Sequence, residues 1–169
     1  RAKRTIAHVR LDEPGDVATV LRVLYLVFNE GYGGDIDLAA EAIRLTRAEI
    51  DKWHAADTGD YRTALLHVAI VPRFSLSVTT ETLKNLGDLY DEYREQGVYV
   101  HSHLNENNRP GTGEVDTTKE VYQVDCYLDT YDGKFLPGSQ VGGKSLLGPR
   151  TILAHCVHCQ DVELARMAE

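Results

Sequence analysis

The 169-residue sequence has few cysteines, no long apolar run and a shortage of positive charge. Its three cysteines are an odd number without the spacing of a disulfide framework, which is typical of reduced thiols in a cytoplasmic protein. No apolar stretch approaches the ~20 residues that cross a bilayer, and no secretory signal opens the chain, so we expect no membrane attachment. Eighteen Lys and Arg against 26 Asp and Glu give a formal net charge of −8, which disfavours nucleic acid as a partner.

Two of the cysteines, Cys156 and Cys159, have the Cys-x-x-Cys spacing of redox and metal-binding pairs. The sequence offers no second pair, and this one lies where a predicted strand passes into a predicted helix. We therefore interpret both residues as ordinary reduced thiols.

The chain is organised around the stretch Val98–Glu106 (VYVHSHLNE). Its apolar residues alternate with others, which predicts a buried strand that ends in a histidine and a glutamate. His103 is a suitable zinc ligand, and Glu106 could move protons beside a metal-bound water. A histidine three positions from a glutamate is common in proteins, so the pair alone does not establish a metal site.

Two further apolar runs end in polar residues in the same way. His67–Pro72 is followed by Arg73 and Phe74, and Thr151–Ala154 is followed by His155. A helical pattern follows each run, including one over Glu120–Leu128. A β/α barrel builds its site from polar groups at the ends of successive strands. We therefore predict an α/β fold with parallel strands at about 67–72, 98–103 and 151–155, flanked by helices.

The motifs PRFSLS, VHSHLNEN and ILAHCVH, in this order and with YLDTYD before the last, resemble guanine deaminase, a zinc enzyme of the amidohydrolase superfamily. The resemblance covers about Ala48 to Glu169. It implies hydrolysis of guanine to xanthine and ammonia in a β/α barrel. The residues that it implicates are the zinc ligands His103 and His155, the proton shuttle Glu106, and Arg73 and Phe74, which would hold the purine.

The sequence departs from this family at two of its metal-binding positions. The family's first strand carries a His-x-His pair, and nothing upstream of Arg73 matches it. The His-x-His at His101–His103 belongs to a later strand motif, and no strand before Glu169 supplies the family's final Asp. We expect about three of the eight barrel units. With two histidines we expect zinc binding at best and no turnover by this chain alone.

The N-terminal part has a different resemblance. RAKRTIAHVR, VLRVLYLVFNEGYGG and DLAAEAIRLTR, within residues 1–47, are similar to an extracytoplasmic-function-type RNA polymerase sigma factor. Apolar spacing predicts helices over Val17–Glu30 and Leu38–Arg47, the second continuing through Ala48–Ala56, and the GYGG loop between them makes a helical hairpin. We predict a boundary between residues 1–47 and 48–169, joined near Thr46–Glu49.

Two alternatives to a deaminase segment follow from these features. The chain could be a chimeric or recombined folded domain without catalysis, or a sigma-factor-like transcription module. Three strand–helix units leave open sheet edges, which favour pairing with another copy into a homo-oligomer.

Overall fold

The computed structural model describes residues 36–140 and 142–169 and has an α/β architecture. Its elements, in chain order, are α1 (Ile36–Trp53), β1 (Ala69–Arg73), α2 (Thr80–Tyr93), β2 (Tyr99–Leu104), α3 (Glu114–Tyr122), β3 (Thr151–His155) and α4 (Asp161–Met167). In this part of the chain, no helix is long and apolar enough to cross a membrane.

The three strands form one parallel sheet in the order β1-β2-β3, which confirms the predicted fold class. The register places His101 beside Ile152 and His103 beside Ala154. Between β1 and β2 the register shifts, so that Arg73 comes to lie beside Ser102. Because all three strands run in the same direction, their carboxyl ends meet at one edge of the sheet.

One face of the sheet packs into the hydrophobic core. Ile70, Val100 and Leu104 lie on this face and are almost fully buried, and Leu86 and Leu89 of α2 belong to the same core. On the opposite face, Val71 is 43% exposed and Ile152 is 51% exposed. The alternation of side chains along β2 puts His101 and His103 on this more open face.

Helix α2 has clear sequence signals at both ends. The side chain of Thr79, the N-cap, accepts a hydrogen bond from the Thr82 amide at 3.1 Å, which satisfies one of the free N–H groups of the first turn. Helical spacing turns Leu83 and Leu86 towards the core. A 3₁₀ turn follows the helix and ends at Gly97, whose φ of +83° is accessible to glycine.

We expect Gly97→Ala to lower the free energy of unfolding by ~1–3 kcal/mol more than Gly59→Ala. Both glycines have positive φ (+83° and +72°), so both substitutions strain the backbone similarly. A Cβ at Gly97 would lie 2.3 Å from the ring of Tyr61, whereas a Cβ at Gly59 meets nothing within 4 Å. Urea unfolding of the two variants measures the difference, and equal losses would show that Tyr61 does not pack there.

Helix α1 runs without a break through the predicted join at Thr46–Glu49. It confirms the second predicted helix, whereas the first, Val17–Glu30, lies outside the described residues. Tyr93 of α2 donates a hydrogen bond to Asp51 of α1 at 2.6 Å, and Ile50 is buried in the core. The domain boundary at residue 47 remains a prediction.

The helix predicted over Glu120–Leu128 is wrong in its position. Helix α3 begins at Glu114, and Gln123 ends it with a left-handed φ of +55°. A 3₁₀ helix, Tyr127–Tyr131, follows instead. The Asp129 carboxylate accepts a hydrogen bond from the Cys126 amide at 3.2 Å, and this local bond favours a new turn over continuation of the helix.

Candidate metal and substrate site

The backbone turns sharply at the carboxyl end of each strand. Positive φ values between +51° and +76° occur at Arg73, the last residue of β1, at Asn105 directly after β2, and at His155 and Cys156, where β3 ends. This conformation is uncommon for residues other than glycine, although Asn, Asp and His adopt it more often than the rest. Such backbone strain is found most often at functional sites, where the surrounding structure holds it in place. The strand ends are therefore the first place to look for a site.

Three predicted site residues come together at these strand ends. His103 Nδ1 lies 3.0 Å from His155 Nε2, and Glu106 Oε2 lies 3.9 Å from the first atom and 3.6 Å from the second. In the parallel register of β2 and β3, His155 lies beside Leu104, one residue from His103. The turn at Asn105 directs Glu106 back towards both histidines. All three ligand atoms thus lie within 4.8 Å of one another.

The spacing of these atoms suits a zinc ion. Tetrahedral zinc with Zn–N bonds of about 2.0–2.1 Å has ligand atoms about 3.3–3.4 Å apart. The observed separations of 3.0, 3.6 and 3.9 Å bracket that value, so small side-chain movements would complete the geometry. Imidazole nitrogens are common zinc ligands, and a carboxylate beside them can take a proton from a metal-bound water. The residues present therefore fit the metal that the sequence implies.

The protonation state of His103 also suits metal binding. Burial and the neighbouring His155 lower the pKa of His103 below its usual value, against a smaller opposing effect of Glu106. The lowered pKa favours the neutral imidazole at neutral pH, and the neutral ring is the form that binds metals. One of the two rings donates its N–H to the other in the hydrogen bond that joins them.

Two buried hydroxyl groups, those of Tyr131 and Ser102, form hydrogen bonds at the end of β2. The Tyr131 hydroxyl donates to the backbone carbonyl of His103 at 2.6 Å. Ser102 Oγ lies 2.9 Å from that hydroxyl and 3.0 Å from the Arg73 carbonyl oxygen, so it links β1 to β2. Burial raises the pKa of Tyr131 and keeps the phenol protonated as a donor. No sequence pattern predicted these roles of Ser102 and Tyr131, because both depend on contacts between residues distant in the chain.

The two predicted substrate-binding residues lie at the end of β1. The guanidinium carbon of Arg73 lies 5.0 Å from the centre of the Phe74 ring, within the range of a cation–π contact. Arg73 is exposed and Phe74 is half-buried. The register beside Ser102 places them on the strand next to the one that carries His103.

Neither His101 nor the cysteine pair joins the cluster, in the part of the chain that the structure describes. The His101 ring lies 6.1 Å from the His103 ring. Burial and the neighbouring Cys159 thiol raise the pKa of Cys156 to about 11, so it is protonated at neutral pH. Thiols in this state are poor nucleophiles and poor metal ligands, in line with the prediction of ordinary thiols.

Comparison with known proteins identifies guanine deaminases among the relatives of this chain. No protein-family model matches the chain. The chain is 30% identical over 135 residues to the guanine deaminase of Escherichia coli K12, which is 79% of this chain and 26% of that protein. It is 30% identical over 106 residues to a probable guanine deaminase of Schizosaccharomyces pombe, covering 62% of this chain and 17% of the relative. The chain therefore spans about a quarter or less of the length of these relatives.

Solved structures lead to the same group. The fold matches Escherichia coli guanine deaminase with a TM-score of 0.58 and 29% identity over 76% of this chain and 25% of that one. It matches guanine deaminase from C. acetobutylicum, solved with guanine bound in the active site, with a TM-score of 0.55 and 26% identity over 77% of this chain and 26% of that one. The fold is thus related to the amidohydrolase barrel. Homology to guanine deaminases extends over about 60–79% of the chain.

Proposed function

We propose that this chain carries strand-end residues of a zinc-dependent guanine deaminase site, which hydrolyses guanine to xanthine and ammonia. The observation that carries the proposal is the convergence of His103, Glu106 and His155 within 4.8 Å at the carboxyl ends of two parallel strands. Homology to guanine deaminases supplies the substrate, since those relatives bear that name and one is solved with guanine bound.

His103 and His155 would hold the zinc through Nδ1 and Nε2. Zinc held there would supply a nucleophile from water at neutral pH, since a bound zinc ion lowers the pKa of its water. Glu106 Oε2 lies 3.9 Å and 3.6 Å from these two nitrogens, beside the water that the ion would hold. Its carboxylate would take the two protons of that water one after the other, passing the first to a purine ring nitrogen and the second to the amino group, which leaves as ammonia. The hydrogen bond from Tyr131 to the His103 carbonyl would fix the histidine during these steps.

Arg73 and Phe74 are chemically suited to guanine. A guanidinium can donate two hydrogen bonds to the O6 and N7 acceptors of guanine, which is the commonest specific contact of arginine with this base. An aromatic ring can stack on the purine. The contact of Arg73 with its neighbouring ring already orients the guanidinium at the strand end. Arg73 would therefore recognise the edge of guanine, and Phe74 would contact its face.

We expect the 169-residue chain to bind zinc and to show no turnover of guanine above the buffer background. If wild type does turn over guanine, we expect Glu106→Gln to lower the rate by about 10²–10⁴-fold, as loss of a general acid–base group does. Xanthine formation by the zinc-loaded protein, followed by chromatography, measures both. The matched control is Glu120→Gln, which removes the same charge from an exposed position on α3.

The same pair of variants distinguishes two roles of Glu106. If it is a proton shuttle, Glu106→Gln and Glu120→Gln should bind zinc equally well. If it is a ligand, only Glu106→Gln should lose affinity. A variant that keeps both zinc affinity and full turnover would show that Glu106 has neither role.

We further propose that the chain pairs with a second copy of itself. Within the described residues, β1 and β3 are the edges of the sheet, and the face bearing Val71 and Ile152 is open. Unpaired edges with apolar neighbours favour association. Light scattering coupled to size exclusion should give a mass above 18.8 kDa that decreases on dilution. A monomer at all concentrations would contradict this.

A chimeric domain without catalysis is the second candidate. It is favoured by the sigma-factor resemblance of residues 1–47, of which only those from 36 onward belong to the described part. The relatives reported above support only the deaminase resemblance. A transcription module would require binding to RNA polymerase or promoter DNA, which a pull-down with each would detect.

A further inference from the structure

We propose that Asn105 and Glu163 form a positioning pair that holds His103 and Glu106, at the end of β2, at their working distance from His155. The two residues are 58 positions apart and meet beneath the strand ends, where Asn105 Nδ2 donates to Glu163 Oε2 at 2.8 Å. Their meaning for catalysis rests on the proposed function, but the geometry can be tested independently of it.

Glu163 is a buried carboxylate with a complete set of neutral donors. It is 1% exposed, and its carboxylate accepts N–H hydrogen bonds from the Leu128 amide at 3.0 Å, the Gln160 amide at 2.8 Å and the Asn105 side chain. A buried charge is tolerated when such bonds replace its hydration, and it becomes costly when one is lost. Glu163 therefore joins the start of α4, the 3₁₀ segment at Leu128 and the end of β2.

Asn105 lies between His103 and Glu106 in the sequence and is fully buried. Its φ of +51° makes the turn that directs Glu106 towards the histidines. Its carbonyl accepts a hydrogen bond from the His158 amide at 3.1 Å, and its side-chain amide also contacts Cys159 Sγ at 3.4 Å.

These contacts fasten the end of β2 to the segment that follows His155. A second backbone bond, from the Cys156 amide to the Leu104 carbonyl at 2.8 Å, lies beside them. The relative positions of Glu106 and His155, whose ligand atoms are 3.6 Å apart, are thus set by a junction that touches neither side chain. Supports of this kind orient metal ligands without contacting the ion.

The orientation of the Asn105 amide explains why asparagine suits this position. Its NH₂ group faces the carboxylate, while its Oδ1 is buried without a hydrogen-bond partner among the described residues. An aspartate at this position would place two carboxylates against each other. An asparagine also adopts the left-handed backbone conformation more readily than most residues. Both requirements favour asparagine over other side chains here.

The first test uses Asn105→Gly, because glycine keeps the left-handed turn and removes only the amide. We expect this variant to fold and to lose the contact between the rings of His103 and His155, whose centroids are 4.8 Å apart. An NMR nuclear Overhauser effect between the two rings reports this contact in metal-free protein. We expect zinc affinity to fall by about 10–100-fold, as for other supports of metal ligands.

The second test reverses the polarity of the pair. Asn105→Asp should weaken the ring contact further, and adding Glu163→Gln should recover part of it, because the new amide can donate to the new carboxylate. Asp161→Asn, in the exposed first turn of α4, is the matched control and should leave the contact intact. A merely structural role would lower stability in all Asn105 variants without this rescue.

The outcomes separate this inference from the proposed function. If wild type binds no zinc and turns over no guanine, the proposed function fails, while the ring contact in the variants still decides the positioning role. If folded Asn105→Gly keeps both the ring contact and zinc affinity within twofold of Asp161→Asn, the inference is wrong. If Asn105→Gly does not fold, the absence of rescue in the double variant would overturn it equally.

Discussion

His155→Ala is expected to abolish zinc binding to this chain. The variant removes the Nε2 atom that lies 3.0 Å from His103 Nδ1 and 3.6 Å from Glu106 Oε2, and so leaves one imidazole and one carboxylate. In the proposed site only His103 and His155 hold the zinc, so the variant leaves a single imidazole, which cannot hold the ion against water and buffer. The loss should exceed the ~10–100-fold that a missing supporting residue costs. Competition with a chromophoric chelator measures the affinity.

His101→Ala is the matched control for this experiment. His101 belongs to the same face of the sheet and forms a His-x-His with His103, but its ring is 6.1 Å from the His103 ring and it stands apart from the cluster. We expect its loss to change zinc affinity little. The reverse result, with His101→Ala losing zinc and His155→Ala keeping it, would place the metal at the His-x-His pair and contradict the proposed site.

The sheet and the cluster were accessible from sequence because they depend on local patterns. Alternating apolar residues predicted β2, and polar residues at strand ends predicted His103, Glu106 and His155. The parallel direction of the strands then brings these residues to one edge without further information. Strand ends were correct within about two residues, which is the precision expected of hydrophobic periodicity.

The supports of the site depend on long-range partners, which periodicity does not reveal. In the sequence Asn105 is an ordinary turn residue, and its contact with Glu163, 58 positions away, is visible only in the structure. Glu163 stands three residues after Gln160, the spacing of a capping box, and this signal predicts a helix start but not burial. The helix over Glu120–Leu128 was misplaced for a different, local reason, since the bond between the Asp129 carboxylate and the Cys126 amide favours a new turn.

Helix α4 carries Glu163, so the ion pair that fastens this helix also matters to the site. Arg166 reaches from α4 to two buried carboxylates: its Nη1 pairs with Asp129, and its Nη2 lies 3.2 Å from Asp132. Its guanidinium also lies over the ring of Phe135, with 4.6 Å to the centroid. Asp129 and Asp132 are 4% and 7% exposed, so water cannot readily replace the guanidinium.

Arg166→Ala should therefore lower the free energy of unfolding by about 3–5 kcal/mol, the cost of leaving buried charge without its partner. Arg62→Ala is the matched control, because Arg62 makes a 2.8 Å pair with Asp60 at the surface, where such pairs contribute less than about 1 kcal/mol. Urea unfolding of both variants measures the difference. Equal losses would show that α4 is not held by these carboxylates. A large loss in Arg166→Ala accompanied by weaker zinc binding would instead connect this ion pair, through Glu163, to the position of His155.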